Sequence, residues 1–104
     1  MDMDSFLCIN GVGRIMPKII PVPQPGNYRT GALYASRKEI EQILGFKSNC
    51  EDDPDKVKYS WGFTVDGVHC GIWDYKGSHK YNQFSTYGPK EIFKLLFGNK
   101  AKQD

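Results

Sequence analysis

The stretch that decides the fold runs Lys56-Val57-Lys58-Tyr59-Ser60-Trp61-Gly62-Phe63-Thr64-Val65-Asp66-Gly67-Val68-His69-Cys70-Gly71-Ile72-Trp73-Asp74-Tyr75. Val57, Tyr59, Trp61, Phe63 and Val65 alternate with Lys58, Ser60, Gly62 and Thr64, the two-residue period of a strand with one buried face. Asp66-Gly67 tolerates positive φ at both centres of a type I′ turn, and Val68, Cys70 and Ile72 continue the alternation on the way back. A two-residue turn fixes the register of the hairpin. It sets Val65 opposite Val68, Phe63 opposite Cys70 and Trp61 opposite Ile72 on an inner face. The outer face then pairs Thr64 with His69, Gly62 with Gly71 and Ser60 with Trp73, and Lys58 and Tyr75 continue it. Asp74 falls on the inner side opposite Tyr59, where a carboxylate serves as a buried hydrogen-bond or ion-pair anchor, with Lys56 a candidate partner.

Outward from the hairpin, Ser36 and Glu39 have the spacing of a capping box. Ile40, Ile43 and Leu44 follow on one helical face and Gly45 is a stop, so the spacing predicts a helix over 36–45. Downstream, Phe84-Ser85-Thr86-Tyr87 has strand composition and Gly88-Pro89 breaks it. Proline suits a first helical turn, and Ile92, Phe93, Leu95, Leu96 and Phe97 form a wide apolar surface that Gly98 ends. Upstream, the run from Pro17 to Gly26 sets four prolines around Ile19, Ile20 and Val22. Proline cannot donate to a ladder, so this reads as an edge strand passing into polyproline-like coil. Asn10-Gly11 and Gly13 suit a tight turn between short extended pieces. Together these predict a single small α+β domain over 1–98, mainly an antiparallel β-sheet with a central β-hairpin packed by two short helices. Residues 99–104 are expected to be a flexible C-terminal tail.

Composition narrows the function classes. The 104 residues are 39% hydrophobic and 25% charged, which suits a globular chain rather than a disordered one. Fourteen Lys and Arg against twelve Asp and Glu leave a net charge of +2, too small an excess for a dedicated duplex-DNA binder. No apolar run approaches the length that crosses a bilayer, and the acidic Met1-Asp2-Met3-Asp4 does not read as a signal segment. Cys8, Cys50 and Cys70 are odd in number and form no CxxC pair, so neither a disulfide framework nor a zinc site is expected. The acidic loop Glu51-Asp52-Asp53-Pro54-Asp55 lacks the ligand ladder of a calcium loop and reads as solvated surface. Gly11-Val12-Gly13 lacks the third glycine of a dinucleotide fingerprint, and no hydrolase, metalloprotease or P-loop motif appears. No catalytic residue, metal or cofactor is expected.

The hairpin's outer face carries the candidate site. Facing glycines commonly mark a close approach by another backbone or by a ligand. Two readings of that face stand side by side: the C-terminal helix covers it, or it meets a ligand or a second subunit. Under the second, Trp73 and Tyr75 are flat platforms on which a nucleobase can stack. Lys56, Lys58, Lys76, His79 and Lys80 bracket the hairpin's open end. Lys76 and the Gly77-Ser78 loop, with Lys56, form a candidate phosphate cradle. Arg29 could add a bidentate anion contact, or could pair with an acidic side chain instead.

Asp55-Lys56, Trp61, Ile72-Trp73-Asp74-Tyr75-Lys76 and Ser85-Thr86-Tyr87-Gly88-Pro89 together resemble a pattern of small accessory proteins of tailed bacteriophages, over roughly Ser36 to Phe97. The resemblance implies a counter-defence protein made in the host (bacterial) cytoplasm, of the anti-CBASS sponge type, that sequesters a cyclic nucleotide without cleaving it. It adds Thr86 and Tyr87 of the last strand to Arg29, Lys56, Trp73, Tyr75, Lys76 and Ser78 as ligand-binding residues. A homodimer is the expected assembly, because two copies can close a cleft that one small domain cannot. The alternative is a protein-directed inhibitor of a host defence nuclease or CRISPR effector, acting through the apolar face of Ile92–Phe97 and the Ile19–Val22 edge.

Overall fold

The computed structural model describes residues 17–24, 28–51 and 55–104; the turn read at Asn10-Gly11 and most of the acidic loop lie outside them. Strands β1 (Ile19–Pro21), β2 (Gly31–Leu33), β3 (Ser60–Val65), β4 (Val68–Trp73), β5 (Phe84–Tyr87) and β6 (Ala101–Gln103) form one sheet, with helices α1 (Arg37–Leu44) and α2 (Lys90–Phe97). All pairings are antiparallel, in the order β1-β3-β4-β5-β2-β6. The fold is α+β, as the sequence implies.

The central hairpin has the register set by its turn. Val65 pairs with Val68, Trp61 with Ile72 and Ser60 with Trp73. Asp66 and Gly67 take φ of 51° and 85°, the left-handed pair that a type I′ turn requires. Trp61, Phe63, Val65, Cys70 and Ile72 are buried with Leu33 and Phe84 from the neighbouring strands. Ile40 and Leu44 of α1 and Phe93 and Phe97 of α2 join the same cluster, so both helices cover the inner face. Trp61 meets Phe84 edge to face with ring centroids 5.7 Å apart, and its indole N–H donates to the Phe46 carbonyl at 3.2 Å. A buried indole needs such a partner.

Local chemistry fixes the helix ends. The Ser36 hydroxyl accepts from the Glu39 amide while the Glu39 carboxylate accepts from the Ser36 amide. Gly45, at φ 88°, ends α1 in the left-handed conformation. Pro89 caps α2, where its missing donor costs nothing. The apolar width of α2 is spent inward: Ile92, Phe93, Leu96 and Phe97 pack on the core, and only Leu95, 64% exposed, turns to solvent.

Three expectations are corrected here. Residues 101–103 are a strand rather than part of a flexible tail, for β6 pairs along β2 from Gly31↔Gln103 to Leu33↔Ala101 and buries Ala101. A Cβ on Gly31 would strike the Lys102 carbonyl, so glycine lets the two chains close. The C-terminal helix does not cover the outer face, since α2 packs on the inner one. The floor at Gly62 is nonetheless closed, by the chain's own proline-rich segment: a Cβ there would strike the Val22 carbonyl and the Gln24 backbone.

That segment enters as the edge strand β1. Lys18 exchanges bonds with Asp66, through its carbonyl to the Asp66 amide and its amide to the Asp66 side chain, and the Val22 amide donates to Gly62. Even-numbered residues therefore face β3. Pro17, Ile19 and Pro21 turn their backbone groups to the opposite side.

Candidate functional site

The open end of the hairpin is built around Asp74, which is fully buried. Its Oδ1 accepts from the Lys58 and Tyr59 amides at 2.8 and 2.7 Å, and its Oδ2 lies 2.6 Å from His79 Nδ1. The expected anchor is present, with two backbone amides and an imidazole as partners in place of Lys56. The Asp74 amide in turn donates to the Tyr59 carbonyl at 3.0 Å, prolonging the ladder past the last assigned pair. The His79 ring packs edge-on against Tyr59, with centroids 5.0 Å apart.

The chain then turns sharply. Lys76 and Gly77 are consecutive left-handed residues, φ 52° and 83°, and they lead into a 3₁₀ turn over Ser78–Tyr81. The Ser78 hydroxyl accepts from the Tyr75 amide at 3.0 Å and donates to the Gln83 carbonyl at 2.6 Å, which locks the loop. The Lys76 amide donates to the Lys56 carbonyl at 2.6 Å, tying the return strand to the approach of β3. These bonds bring Lys56 and Lys58 beside Lys76 and Lys80.

The result is a cleft of about 520 Å³ whose walls carry all four of those lysines with His79, Gly77, Val57, Asp55 and Asp74. Both oxygens of Asp74 are taken by the two amides and the imidazole, so they are not open acceptors for a ligand. Four lysines against two aspartates in one concave lining give it an excess of positive charge, which attracts anions. On the other side of the Tyr75–Ser78 loop lies a smaller cavity of about 170 Å³, lined by Arg29, Tyr34, Tyr75, Ser78, Gln83 and Ser85 among others. Lys76 and Gly77 face the first cavity while Tyr75 and Ser78 face the second, so one loop walls both.

The residues singled out in the sequence separate into groups. Lys56 and Lys76 line the lysine cleft, and Arg29, Tyr75 and Ser78 line the smaller cavity. Arg29 has taken the pairing alternative: its guanidinium holds Asp104 through two bonds of 2.8 and 3.1 Å, so it is not a free anion contact. Ser78 has its one hydroxyl proton committed to the loop. Trp73 does lie on the outer face but is half-buried and lines neither cavity. Thr86 is set apart from both cavities: it is 2% exposed, across from Ile72 on the inner side of the sheet. Tyr87 is half-buried, wedged between Tyr28 and His69 with ring centroids 5.2 and 5.7 Å away.

Lys58, His79 and Lys80 belong with Lys56 and Lys76, and a reading centred on aromatic platforms leaves them out of the ligand set. The signal that finds them is charge density. The two chain segments flanking the hairpin's open end carry four lysines and a histidine within reach of one turn. Cys70 is buried among apolar neighbours, which pushes its thiol up to about 11 and leaves it no nucleophile. Among the described residues, no group of His, Cys, Asp and Glu side chains could hold a metal ion. No described helix is long and apolar enough to cross a membrane. Comparison with protein-family models, with curated proteins and with solved structures finds no match to this chain.

Proposed function

We propose that the protein is a binding module for a phosphorylated small ligand of the nucleotide class, which it sequesters by charge and shape without covalent chemistry. The observation that carries the reading is the convergence of Lys56, Lys58, Lys76 and Lys80 on one cleft of about 520 Å³, a volume in the usual range for small-molecule sites. Phosphates are acceptors on every exposed oxygen, and ammonium groups are pure donors. Tyr75, about half exposed at the rim of the neighbouring cavity with the Lys76 ammonium 5.3 Å from its ring, offers a surface for a base next to the phosphate wall.

The narrower reading, a cyclic nucleotide immune signal captured by a bacteriophage counter-defence protein in the bacterial cytoplasm, rests on the resemblance of the Asp55 to Pro89 motifs. A homodimer accords with it, since a second copy would close the open side of the cleft. The alternative, a protein-directed inhibitor, loses its first support because the apolar residues of α2 are spent in the core.

Calorimetry with a panel of cyclic di- and trinucleotides, at low and at moderate salt, tests the proposal. Binding that weakens as salt screens the lysines, and that Lys56→Glu with Lys76→Glu abolishes, is the expected result. Folded protein that takes up no member of the panel at micromolar concentration ends the reading.

A further inference from the structure

His79 stands apart from everything else in the cleft. Its Nδ1 lies 2.6 Å from Asp74 Oδ2, and Asp74 Oδ1 already receives two amide protons. A carboxylate can only accept, so a ring proton sits on Nδ1, and in that tautomer Nε2 is an acceptor. The buried carboxylate and the edge-on contact with Tyr59 also fix the orientation of the ring. Nε2 makes no hydrogen bond among the described residues and is not a buried orphan such as His69 Nε2, and the ring that carries it lines the cleft.

The surrounding chemistry gives that acceptor a meaning. Lys56, Lys58, Lys76 and Lys80 bring donors only, and Gly77 and Val57 bring no polar side chain. Asp74 is consumed, and Asp55 has a contact of its own. A ligand that offers nothing but phosphate oxygens satisfies the lysines and leaves His79 unmatched. A ligand that carries a hydroxyl donor next to its phosphate satisfies both. The 2′-hydroxyl of a ribonucleotide, on the carbon beside the 3′-phosphate ester, is such a group.

We infer that His79, held by Asp74, selects a ribonucleotide over its 2′-deoxy counterpart by accepting a hydrogen bond from the sugar hydroxyl at Nε2. The inference deepens the phosphate-binding reading above and rests on it. Sites built to bond a hydroxyl discriminate against ligands that lack it, because the site's own polar group is then left unpaired.

The test is calorimetry on the full chain with three probes: adenosine 3′,5′-bisphosphate, its 2′-deoxy counterpart and inorganic pyrophosphate. The wild type is expected to bind the ribonucleotide about three- to tenfold tighter than the deoxy form, the range of one net hydrogen bond. His79→Asn keeps a donor toward Asp74 while removing the acceptor at the Nε2 position. It should erase that preference, read as the ratio of ribo to deoxy affinity within the variant. His79→Ala, checked for folding by circular dichroism, should erase it too.

Equal binding of the ribo and deoxy forms by wild type overturns the inference while the lysine site stands. A loss of pyrophosphate affinity in His79→Asn equal to the loss for the ribonucleotide also overturns it, because the ring is then a phosphate donor. Failure of all three probes to bind removes the inference together with the reading beneath it.

Discussion

Asp74 links the fold to the candidate site, and its removal has a calculable cost. Asp74→Ala deletes three hydrogen bonds to a fully buried carboxylate, from the Lys58 amide at 2.8 Å, the Tyr59 amide at 2.7 Å and His79 Nδ1 at 2.6 Å. It also strands two amides beside a small void. Buried donors left unpaired cost about 1–3 kcal/mol each, and bonds to a charged group sit at the upper end of that range. The expected loss is about 3–5 kcal/mol, a large fraction of the 5–15 kcal/mol that holds a typical domain together. Asp74→Asn separates the contributions. An amide oxygen in the Oδ1 position still receives both backbone donors, and His79 can shift its ring proton to meet the amide nitrogen, so the expected cost is only about 1–2 kcal/mol. Urea denaturation followed by tryptophan fluorescence measures both variants, with the slope checked against wild type for two-state behaviour. The ranking wild type, Asn, Ala is the prediction. An Ala variant within 1 kcal/mol of wild type would refute the claim that this carboxylate organises the open end of the hairpin.

Other expectations follow from the same geometry. Trp61→Ala removes a fully buried indole from the cluster shared by both helices and should cost about 3–5 kcal/mol by denaturant titration; a loss below 1 kcal/mol would contradict its place in the core. Gly62→Ala places a methyl against the Val22 and Gln24 backbone, so hydrogen exchange at Val22 should accelerate while the hairpin amides stay protected. Unchanged exchange at Val22 would mean that the segment does not rest there. The Lys100 ammonium, bonded to Glu39, holds that carboxyl below its ordinary 4.5, with the Ser36 amide adding to the effect. A depressed folded-state value contributes stability above the ordinary range and loses it as pH falls through the lowered value. Lys100→Ala should therefore be less stable than wild type at neutral pH, and the gap should close toward strong acid. Cys70, raised to about 11, should resist iodoacetamide at pH 7.5 in the native state and react once urea unfolds the chain, as peptide mapping would show.

How much of this was legible in the sequence depends on how local the determinants are. The hairpin register could be read because Asp66-Gly67 admits one short turn and Trp61, Phe63 and Val65 admit one buried face. Helix α1 was equally open, since the Ser36–Glu39 box and Gly45 act within a few residues. Strands β2 and β6 were not. Gly-Ala-Leu and Ala-Lys-Gln carry no alternation; β2 becomes a strand by pairing with β5 and β6, and β6 by pairing with β2 across some seventy residues of chain. Arg29 shows the same limit, for its partner Asp104 lies 75 positions away. Thr86 was misplaced because strand composition does not say which parity faces inward; contact of Phe84 with Trp61 settles that, and Thr86 follows it. The lysines at the hairpin's open end were visible as a cluster. The role of His79 was not, because it depends on Lys76 and Gly77 turning the chain so that residue 79 comes back onto residue 74.

The alternation of Pro17, Ile19 and Pro21 along the outside of β1 bears on how this molecule can join others. An incoming strand needs a regular series of donors, and that border supplies one N–H where three would be expected. Self-association by sheet extension is thereby barred on the β1 border, and of the described strands only β6 remains for it. Among the described residues, a dimer that closes the lysine cleft has side chains or the β6 edge to form through, which makes substitution of Gln103 by proline a direct way to tell the two geometries apart.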